Sequence, residues 1–280
     1  MALNMALHEA EKKLNRLRED IGKWGSLAVG FSGGADSSFL LFVAHEVLMD
    51  RVLAVTAVDA SIPERELAEA KAFCETYGIR QVFVSVDPMQ DEGYKQNSPD
   101  RCYFCKKRIF SQIQETAREN GIATVAEGSN VDDLGDYRPG LRAIEELAVV
   151  SPLRQAGLSK SEIRALSKEF GLPTWNKPAY ACLASRFVYG EEITEEKLRM
   201  VDRAEQFLIE QGFGKERVRM HGKLARIEVS EADIPRLLEE EMRKAVYDKF
   251  REIGFLFVTL DLHGYQLGSM NATIENKDKE

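Results

Sequence analysis

The stretch Leu27-Ala-Val-Gly-Phe-Ser-Gly-Gly-Ala-Asp-Ser-Ser38 decides the fold. Its first five residues form a short apolar run that predicts a strand, and a helical run follows from about residue 36 to residue 48. The two consecutive glycines between them let the backbone approach a ligand closely and turn its N–H groups toward it. The helix N-terminus adds partial positive charge, and the hydroxyls of Ser32, Ser37 and Ser38 add donors. This arrangement predicts a cradle for pyrophosphate.

The loop differs from the common nucleotide-binding P-loop. It lacks the pattern Gly-x-x-x-x-Gly-Lys-Ser/Thr, and no lysine lies within the turn. A glycine-rich turn that binds nothing is the alternative interpretation, which the strand–loop–helix context disfavours. The string instead resembles the signature of the PP-loop ATP pyrophosphatases, a superfamily that cleaves ATP between its α- and β-phosphates and forms adenylates. The resemblance implies Mg²⁺ bridging the phosphate oxygens, a catalytic role for Asp36, and ATP phosphates held by Ser32, Gly33, Gly34, Asp36 and Ser37.

Strands and helices alternate through roughly the first 170 residues, which begin with an amphipathic helix at 4–22. After the loop, apolar runs predict strands at 52–58, 81–86, 124–126 and 148–151, and amphipathic runs predict helices at 64–77, 98–119, 141–147 and 161–170. Such βαβ alternation predicts an α/β fold, with a parallel sheet covered by helices on both faces. Ligands of these sheets bind beyond the carboxyl ends of the strands, where the loop at Ser32 is expected.

The alternation ends at Gly171-Leu-Pro-Thr-Trp-Asn-Lys-Pro178. The later pattern is a helix at 195–210, strands at 217–220 and 224–229, a helix at 234–253 and a strand at 255–260, which predicts a smaller α+β domain. We therefore expect a PP-loop domain over residues 1–175, an α+β domain over 190–270 and a disordered tail at 271–280.

The composition is that of a globular protein with reduced cysteines. Of 280 residues, 44% are hydrophobic and 30% are charged, and the net charge of −8 disfavours a polyanionic partner such as tRNA. The early apolar residues form a helical stripe mixed with charges, unlike a signal peptide. No stretch approaches the roughly 20 apolar residues that span a bilayer. These features predict a cytoplasmic protein with neither a membrane nor a nucleic acid as its partner.

Two cysteines lie three residues apart in Ser98-Pro-Asp-Arg-Cys-Tyr-Phe-Cys-Lys-Lys107. Ser98 is expected to cap a helix that has Pro99 at its first position. Cys102 and Cys105 would then share one face of the first two turns. The helix N-terminus and the basic neighbours favour thiolates there.

The other two cysteines differ in their surroundings. Cys74 lies on the apolar face of its predicted helix and is expected in the core, whereas Cys182 follows Pro178-Ala-Tyr-Ala. Four interpretations are open for Cys102, Cys105 and Cys182: buried apolar thiols, a redox pair of the first two, a zinc site, or an iron–sulfur cluster. Zinc ribbons usually carry a second Cys-x-x-Cys, which is absent. Cluster irons are usually held by four thiolates, so three would leave one iron open to an extra sulfur.

Eight segments recur together in one known family: Phe31–Ser37, Asn97–Cys105, Glu127–Asn130, Asp136–Gly140, Trp175–Lys177, Ser185–Phe187, Arg217–Arg219 and Leu224–Glu228. With them, residues 10–270 resemble the LarE-type sulfur transferases of nickel-pincer nucleotide cofactor biosynthesis. The resemblance implies that a carboxylate of pyridinium-3,5-dicarboxylate mononucleotide is adenylated and that its oxygen is replaced by sulfur. It also implies a homo-oligomer.

The resemblance assigns further residues to the site. Gly128 and Asn130 would line the nucleotide pocket, and Glu205 would be a polar partner near it. Guanidinium groups facing phosphate or carboxylate would come from Arg138, Arg186, Arg217 and Arg219. The alternative for each arginine is a solvated surface charge.

The family has two types, which differ in the source of sulfur. One sacrifices a single cysteine at the position of Ala181, and the other holds a [4Fe-4S] cluster on three cysteines and delivers an added sulfide. Cys102, Cys105 and Cys182 imply the cluster type, as catalytic metal ligands, with an unidentified sulfide donor. Two alternatives are a tRNA 2-thiolation enzyme of the same superfamily, which the acidic balance disfavours, and a nucleotide-binding redox sensor without turnover.

Overall fold

The computed structural model describes residues 2–135, 139–178, 181–266 and 269–271. Its strands are β1 (Leu27–Gly30), β2 (Val52–Val58), β3 (Gln81–Ser85), β4 (Val125–Ala126), β5 (Arg217–His221), β6 (Leu224–Glu228) and β7 (Phe257–Leu260). Its helices are α1 (Ala2–Trp24), α2 (Ala35–Leu48), α3 (Glu64–Tyr77), α4 (Glu92–Lys95), α5 (Arg101–Glu119), α6 (Gly140–Glu146), α7 (Pro152–Gln155), α8 (Lys160–Glu169), α9 (Glu195–Glu210), α10 (Ile234–Leu238) and α11 (Glu240–Ile253). In this part of the chain, no helix has the length and apolar character needed to cross a membrane.

The first sheet is parallel and has the strand order β3-β2-β1-β4. Because successive residues of a strand point to opposite faces, its apolar strands supply two cores. Leu27 and Val29 pack in one core with residues of α1, α2, α3 and α8, while Ala28 packs in the other with residues of α5 and α6. The predicted α/β fold with helices on both faces is confirmed.

The second sheet is small and mixed, with the order β5-β6-β7. Strands β5 and β6 are antiparallel, and β6 and β7 are parallel. Helices α9 and α11 pack against each other, and they cover β5 and β7 respectively. The predicted helix at 234–253 is two helices, because the extended backbone of Glu239 separates α10 from α11.

The chain divides into two compact units, and one segment from its first half belongs to the second unit. The first unit is Met1–Pro88 with Cys102–Tyr180, and the second is Met89–Arg101 with Ala181–Glu280. Within the second unit, the buried Asn97 amide donates to the carbonyls of Phe187 (3.2 Å) and Val188 (2.7 Å). These bonds join two segments about 90 residues apart, and they explain the grouping. The domain boundaries expected from the sequence stay a prediction.

The helix that carries two of the cysteines begins later than expected. It starts at Arg101, and the hydroxyl of Ser98 donates to the carbonyl of Gly93 at 2.7 Å. The predicted cap at Ser98 is therefore wrong, because the helix begins three residues after it. Cys102 and Cys105 still lie in the first two turns of α5.

Candidate functional site

The glycine loop joins β1 to α2 and lies at the carboxyl end of the parallel sheet, as expected. Gly33 has a left-handed backbone (φ +71°), and Gly34 occupies the N-cap position of α2 without a side-chain cap. The first N–H groups of a helix have no partner within the helix. The hydroxyls of Ser32 and Ser37 lie 3.1 Å apart, so donors line this end of α2. The local geometry suits an anion.

A cavity of about 490 Å³ adjoins the loop within the first unit. It contains six of the residues that the sequence nominated, namely Ser32, Gly34, Asp36, Ser37, Gly128 and Asn130. The remaining lining residues are Gly30, Lys106, Phe110, Glu127, Ser129, Asp132, Asp133 and Lys160. Gly33 lies behind this surface, where a Cβ would approach that of Ala70 to 3.2 Å.

Gly128 permits the chain after β4 to approach the first turn of α2 closely. A Cβ at this position would lie 3.0 Å from the backbone nitrogen of Ser37 and 3.2 Å from its Cα. Asn130 shapes the next turn, since its backbone N–H donates to Asp133 (2.9 Å) and its side-chain oxygen accepts from Asp132 N–H (2.9 Å). Gly128 therefore allows a contact, and Asn130 holds the wall of the cavity.

Lys160 brings to the cavity the positive charge that the loop lacks. Its Nζ pairs with Asp36 Oδ2 at 2.5 Å. Burial raises the pKa of Asp36 above its ordinary value, and the hydrogen bond and charge of Lys160 oppose this increase. The other oxygen, Oδ1, is buried and has no hydrogen-bond partner among the described residues. It is therefore a free ligand atom.

Sequence analysis missed Lys160 as well as a second pair, Lys106 and Glu127. Lys106 Nζ lies 3.8 Å from Glu127 Oε2, and that buried carboxylate accepts hydrogen bonds from Ser129 (2.6 Å) and Ser151 (2.5 Å). Lys160 follows Ser159, whose capping box fixes the start of α8. This local signal could have placed Lys160 at a helix end. It could not have shown that its side chain reaches a residue 124 positions away.

The four cysteines differ in exposure. Cys102 is exposed, Cys105 and Cys182 are half-buried, and Cys74 is buried. Burial raises the pKa of Cys74 to about 12, so this thiol stays neutral and belongs to the core, as predicted. Within the described ranges, no three side chains of His, Cys, Asp or Glu are grouped so that they could hold a metal ion. The cysteine ligand set stays a prediction.

Arg186 and Glu205 form a buried ion pair in the second unit. The guanidinium donates to both carboxylate oxygens, at 2.8 and 3.0 Å, and the two side chains are 1% and 0% exposed. Burial lowers the pKa of Arg186, but the charge of Glu205, and after it that of Cys182, raises it above its ordinary value. Arg186 also donates to the carbonyls of Ala181 (2.9 Å) and Cys182 (3.4 Å). It thus fixes the segment that carries this cysteine.

Two of the other arginines proposed from the sequence, Arg217 and Arg219, also have acidic neighbours. Arg219 pairs with Glu228 at 2.9 Å, and Arg217 lies 4.0 Å from Glu216 with its guanidinium over the ring of Tyr265. Burial, and next the charge of Arg186, lower the pKa of Arg217. Arg138 lies outside the described residues. The sequence could not show the pairing of Arg219 with Glu228, because it depends on the contact between β5 and β6.

Comparisons with known proteins agree with this architecture. A family model for NAD synthase matches residues 9–125. An uncharacterised protein of Synechocystis is 42% identical over 94% of this chain and 98% of its own length. An uncharacterised protein of Methanocaldococcus jannaschii is 30% identical over 91% of this chain and 98% of its own.

A third relative has an assigned activity. Pyridinium-3,5-bisthiocarboxylic acid mononucleotide synthase of Lactiplantibacillus plantarum is 39% identical over 249 residues, which cover 89% of this chain and 90% of that protein. Similarity of this extent spans both units rather than the glycine loop alone. The chain therefore belongs to the family of the pyridinium-3,5-bisthiocarboxylic acid mononucleotide synthases, enzymes of the PP-loop superfamily.

Proposed function

We propose that this protein is an ATP-dependent sulfurtransferase that adenylates a carboxylate of pyridinium-3,5-dicarboxylate mononucleotide and replaces one of its oxygens with sulfur. The 39% identity to the synthase over 89% of the chain carries the proposal. The cavity at the glycine loop supports its first half, because the loop N–H groups and Lys160 suit the phosphates of ATP.

The reaction has two steps. A carboxylate oxygen attacks the α-phosphorus of ATP, and the bond to the β-phosphate oxygen breaks, so pyrophosphate leaves. A sulfide then attacks the acyl carbon, and the bond from that carbon to the adenylate oxygen breaks. AMP therefore carries away the former carboxylate oxygen, and a thiocarboxylate remains.

The residues around the cavity have separate roles in the first step. The N–H groups at the start of α2 and the ammonium of Lys160 offset negative charge that develops on the departing pyrophosphate. The Oδ1 of Asp36, which is buried and has no hydrogen-bond partner in the described part of the chain, fits a Mg²⁺ ligand, since hard cations prefer carboxylate oxygens. When held by Asp36, Mg²⁺ would offset the negative charge of the phosphates.

The proposal assigns a [4Fe-4S] cluster to Cys102, Cys105 and Cys182. Three thiols fit the chemistry of such a cluster with one open iron, and the two on α5 are spaced as Cys-x-x-Cys at an accessible helix end. Cys182 lies beside the charged Arg186, which donates to its carbonyl oxygen. When bound, the cluster would supply a site at which an added sulfide is held.

The first test identifies the products of ATP cleavage. Purified protein, mononucleotide substrate and ATP should yield AMP and pyrophosphate, and Asp36→Ala should lose most of this activity while its circular dichroism spectrum is retained. ADP as the stoichiometric product would refute the assignment. ATP binding without any pyrophosphate release would favour a nucleotide-binding sensor instead.

The second test concerns the source of sulfur. Protein purified without oxygen should contain about four irons per chain, and alanine at Cys102, Cys105 or Cys182 should abolish iron binding and sulfur transfer alike. Every cysteine should keep its full mass after repeated turnover with sulfide. Loss of H₂S from Cys182, which leaves dehydroalanine, would refute the cluster mechanism in favour of a sacrificial one.

The proposal also includes a cytoplasmic homo-oligomer that works without nucleic acid. The family resemblance supports the oligomer, and the net charge of −8 supports the absence of a polyanionic partner. Light scattering during size-exclusion chromatography measures the molar mass. Thiolation of tRNA by the purified protein would contradict this part.

A further inference from the structure

Lys177 lies behind the glycine loop rather than in the cavity. Its side chain is 10% exposed, and its Nζ donates to the carbonyl of Gly33 at 3.1 Å. The same Nζ pairs with two carboxylates of α3, Glu66 Oε2 at 2.8 Å and Glu69 Oε2 at 2.6 Å. Lys177 therefore contacts three acceptors at once. It is absent from the cavity lining and has no role in the proposed reaction.

Three carbonyls of the loop, those of Phe31, Gly33 and Gly34, accept hydrogen bonds from other groups of the first unit. The carbonyl of Phe31 accepts from Thr56 Oγ1 at 2.8 Å, and that of Gly34 accepts from Ser38 N–H at 2.9 Å. Lys177 likewise donates a hydrogen bond to the carbonyl of Gly33. The left-handed backbone of Gly33 turns the chain between Phe31 and Gly34. A carbonyl oxygen that faced the cavity would repel phosphate. Because hydrogen bonds hold these carbonyl oxygens, the adjacent N–H groups are left to face a phosphate in the cavity.

The segment that carries Lys177 is itself fixed. Arg164 of α8 donates to the carbonyls of Trp175 (3.3 Å) and Lys177 (2.7 Å), and the N–H of Lys177 donates to the carbonyl of Thr174 (3.1 Å). The lysine therefore approaches the loop from a backbone that is held on α8. Its ammonium joins three parts of the first unit: the loop, α3 and the chain after α8.

We propose that Lys177 is a positioning residue for ATP, which fixes the Gly33–Gly34 peptide so that the loop N–H groups face the phosphates. The inference rests on the proposed binding of ATP at this loop. Lys177 does not touch the phosphates. Its loss would free the Gly33 carbonyl and leave the charges of Glu66 and Glu69 unopposed next to the loop.

The test separates phosphate binding from nucleoside binding. Isothermal titration calorimetry of the full chain gives the dissociation constants of Mg²⁺-ATP and of adenosine, which lacks phosphates. In Lys177→Met, the constant for ATP should rise at least about tenfold, as expected for a lost hydrogen bond to a charged group, while that for adenosine stays within about twofold. Lys177→Arg, which keeps the cation, should lie between this variant and the wild type.

A matched control removes a lysine from the same neighbourhood. Lys71 lies on α3, is 62% exposed and pairs with Glu75 at 3.7 Å, so Lys71→Met should bind both ligands as the wild type does. Wild-type ATP affinity in Lys177→Met, or an equal loss of both ligands, would overturn the inference and leave the proposed function standing. If the wild type itself fails to bind ATP, the proposed function fails first. Should Lys177→Met not fold, unchanged ATP affinity in Lys177→Arg would overturn the inference.

Discussion

Replacement of Arg186 by methionine removes one partner of a buried ion pair. Glu205 would remain 0% exposed, near the charge of Arg217 and with a hydrogen bond from Val218 N–H at 3.0 Å. Breaking a buried pair in this way costs about 3–5 kcal/mol. Because Glu205 retains these two neighbours, we expect a loss near 3 kcal/mol in the stability of the second unit.

Hydrogen exchange measured by mass spectrometry resolves this loss locally. Amides of α9 and β5 should exchange on the order of 100-fold faster in Arg186→Met than in the wild type, since each 1.4 kcal/mol corresponds to about tenfold. Peptides of α2 and β1 in the first unit provide the internal control. A second change, Glu205→Gln, removes the buried negative charge but keeps an acceptor for Val218 N–H. The double variant should therefore recover part of the protection of these amides against exchange.

The pH dependence of the pair follows from Glu205. Burial raises the pKa of this carboxyl, but the charge and hydrogen bonds of Arg186, together with the charge of Arg217 and the hydrogen bond from Val218 N–H, hold it below the ordinary value of 4.5. The wild-type pair therefore contributes its full stability above about pH 4.5 and loses it as the pH falls through the lower pKa of the folded state.

Two results would refute the reasoning about Arg186. One is a loss of stability below about 1 kcal/mol in Arg186→Met, and the other is further destabilisation when Glu205→Gln is added to that variant.

Two further predictions concern the cavity. Gly128→Ala should lower kcat/KM for ATP at least about tenfold with the fold retained, because the new Cβ would lie 3.0 Å from backbone of α2 that cannot yield without moving the loop; steady-state pyrophosphate release measures this. The second prediction concerns the dependence of kcat/KM on pH, which should fall at low pH as Asp36 is protonated. Lys160→Met should shift this acid limb to higher pH, because Lys160 lowers the pKa of Asp36 and the proposed role of Asp36 needs the ionised carboxylate.

Each of these variants has a matched control. A Cβ at Gly214 would meet no heavy atom within 4 Å, so Gly214→Ala should be silent, and equal effects of the two alanines would contradict the steric argument. Lys160→Arg keeps the charge beside Asp36 and should leave the acid limb near its wild-type position. An unshifted limb in Lys160→Met would show that Asp36 does not set it.

The fold was predictable because its signals are local. The apolar runs of β1 and β2, the glycine loop and the periodicity of α2 each lie within a few neighbouring residues, and βαβ units combine in few ways. That the segment Met89–Arg101 belongs to the second unit was not predictable. It depends on the amide of Asn97 reaching carbonyls 90 and 91 positions away, and no sequence period records such a contact.

The candidate site divides along the same line. Six nominated residues meet in one cavity, since they belong to the loop and to the end of the adjacent strand β4. Lys160 and Glu127 were missed because single charged residues carry no periodic signal. For Arg186, the residue type alone could not distinguish an anion ligand from an internal partner of Glu205, which only the folded contact decides.

The cations of the two units differ in how easily they can reach an anion. The Lys160–Asp36 pair is 31% and 24% exposed, so opening it costs less free energy than opening a fully buried pair. The Arg186–Glu205 pair is buried, and opening it would strand two charges at a cost of several kcal/mol. In the proposed reaction, a phosphate of ATP in the cavity would compete with Asp36 for the ammonium of Lys160, and little free energy would oppose that exchange. Lys160 is thus the cation that can exchange partners, whereas Arg186 holds the segment of Cys182 in place.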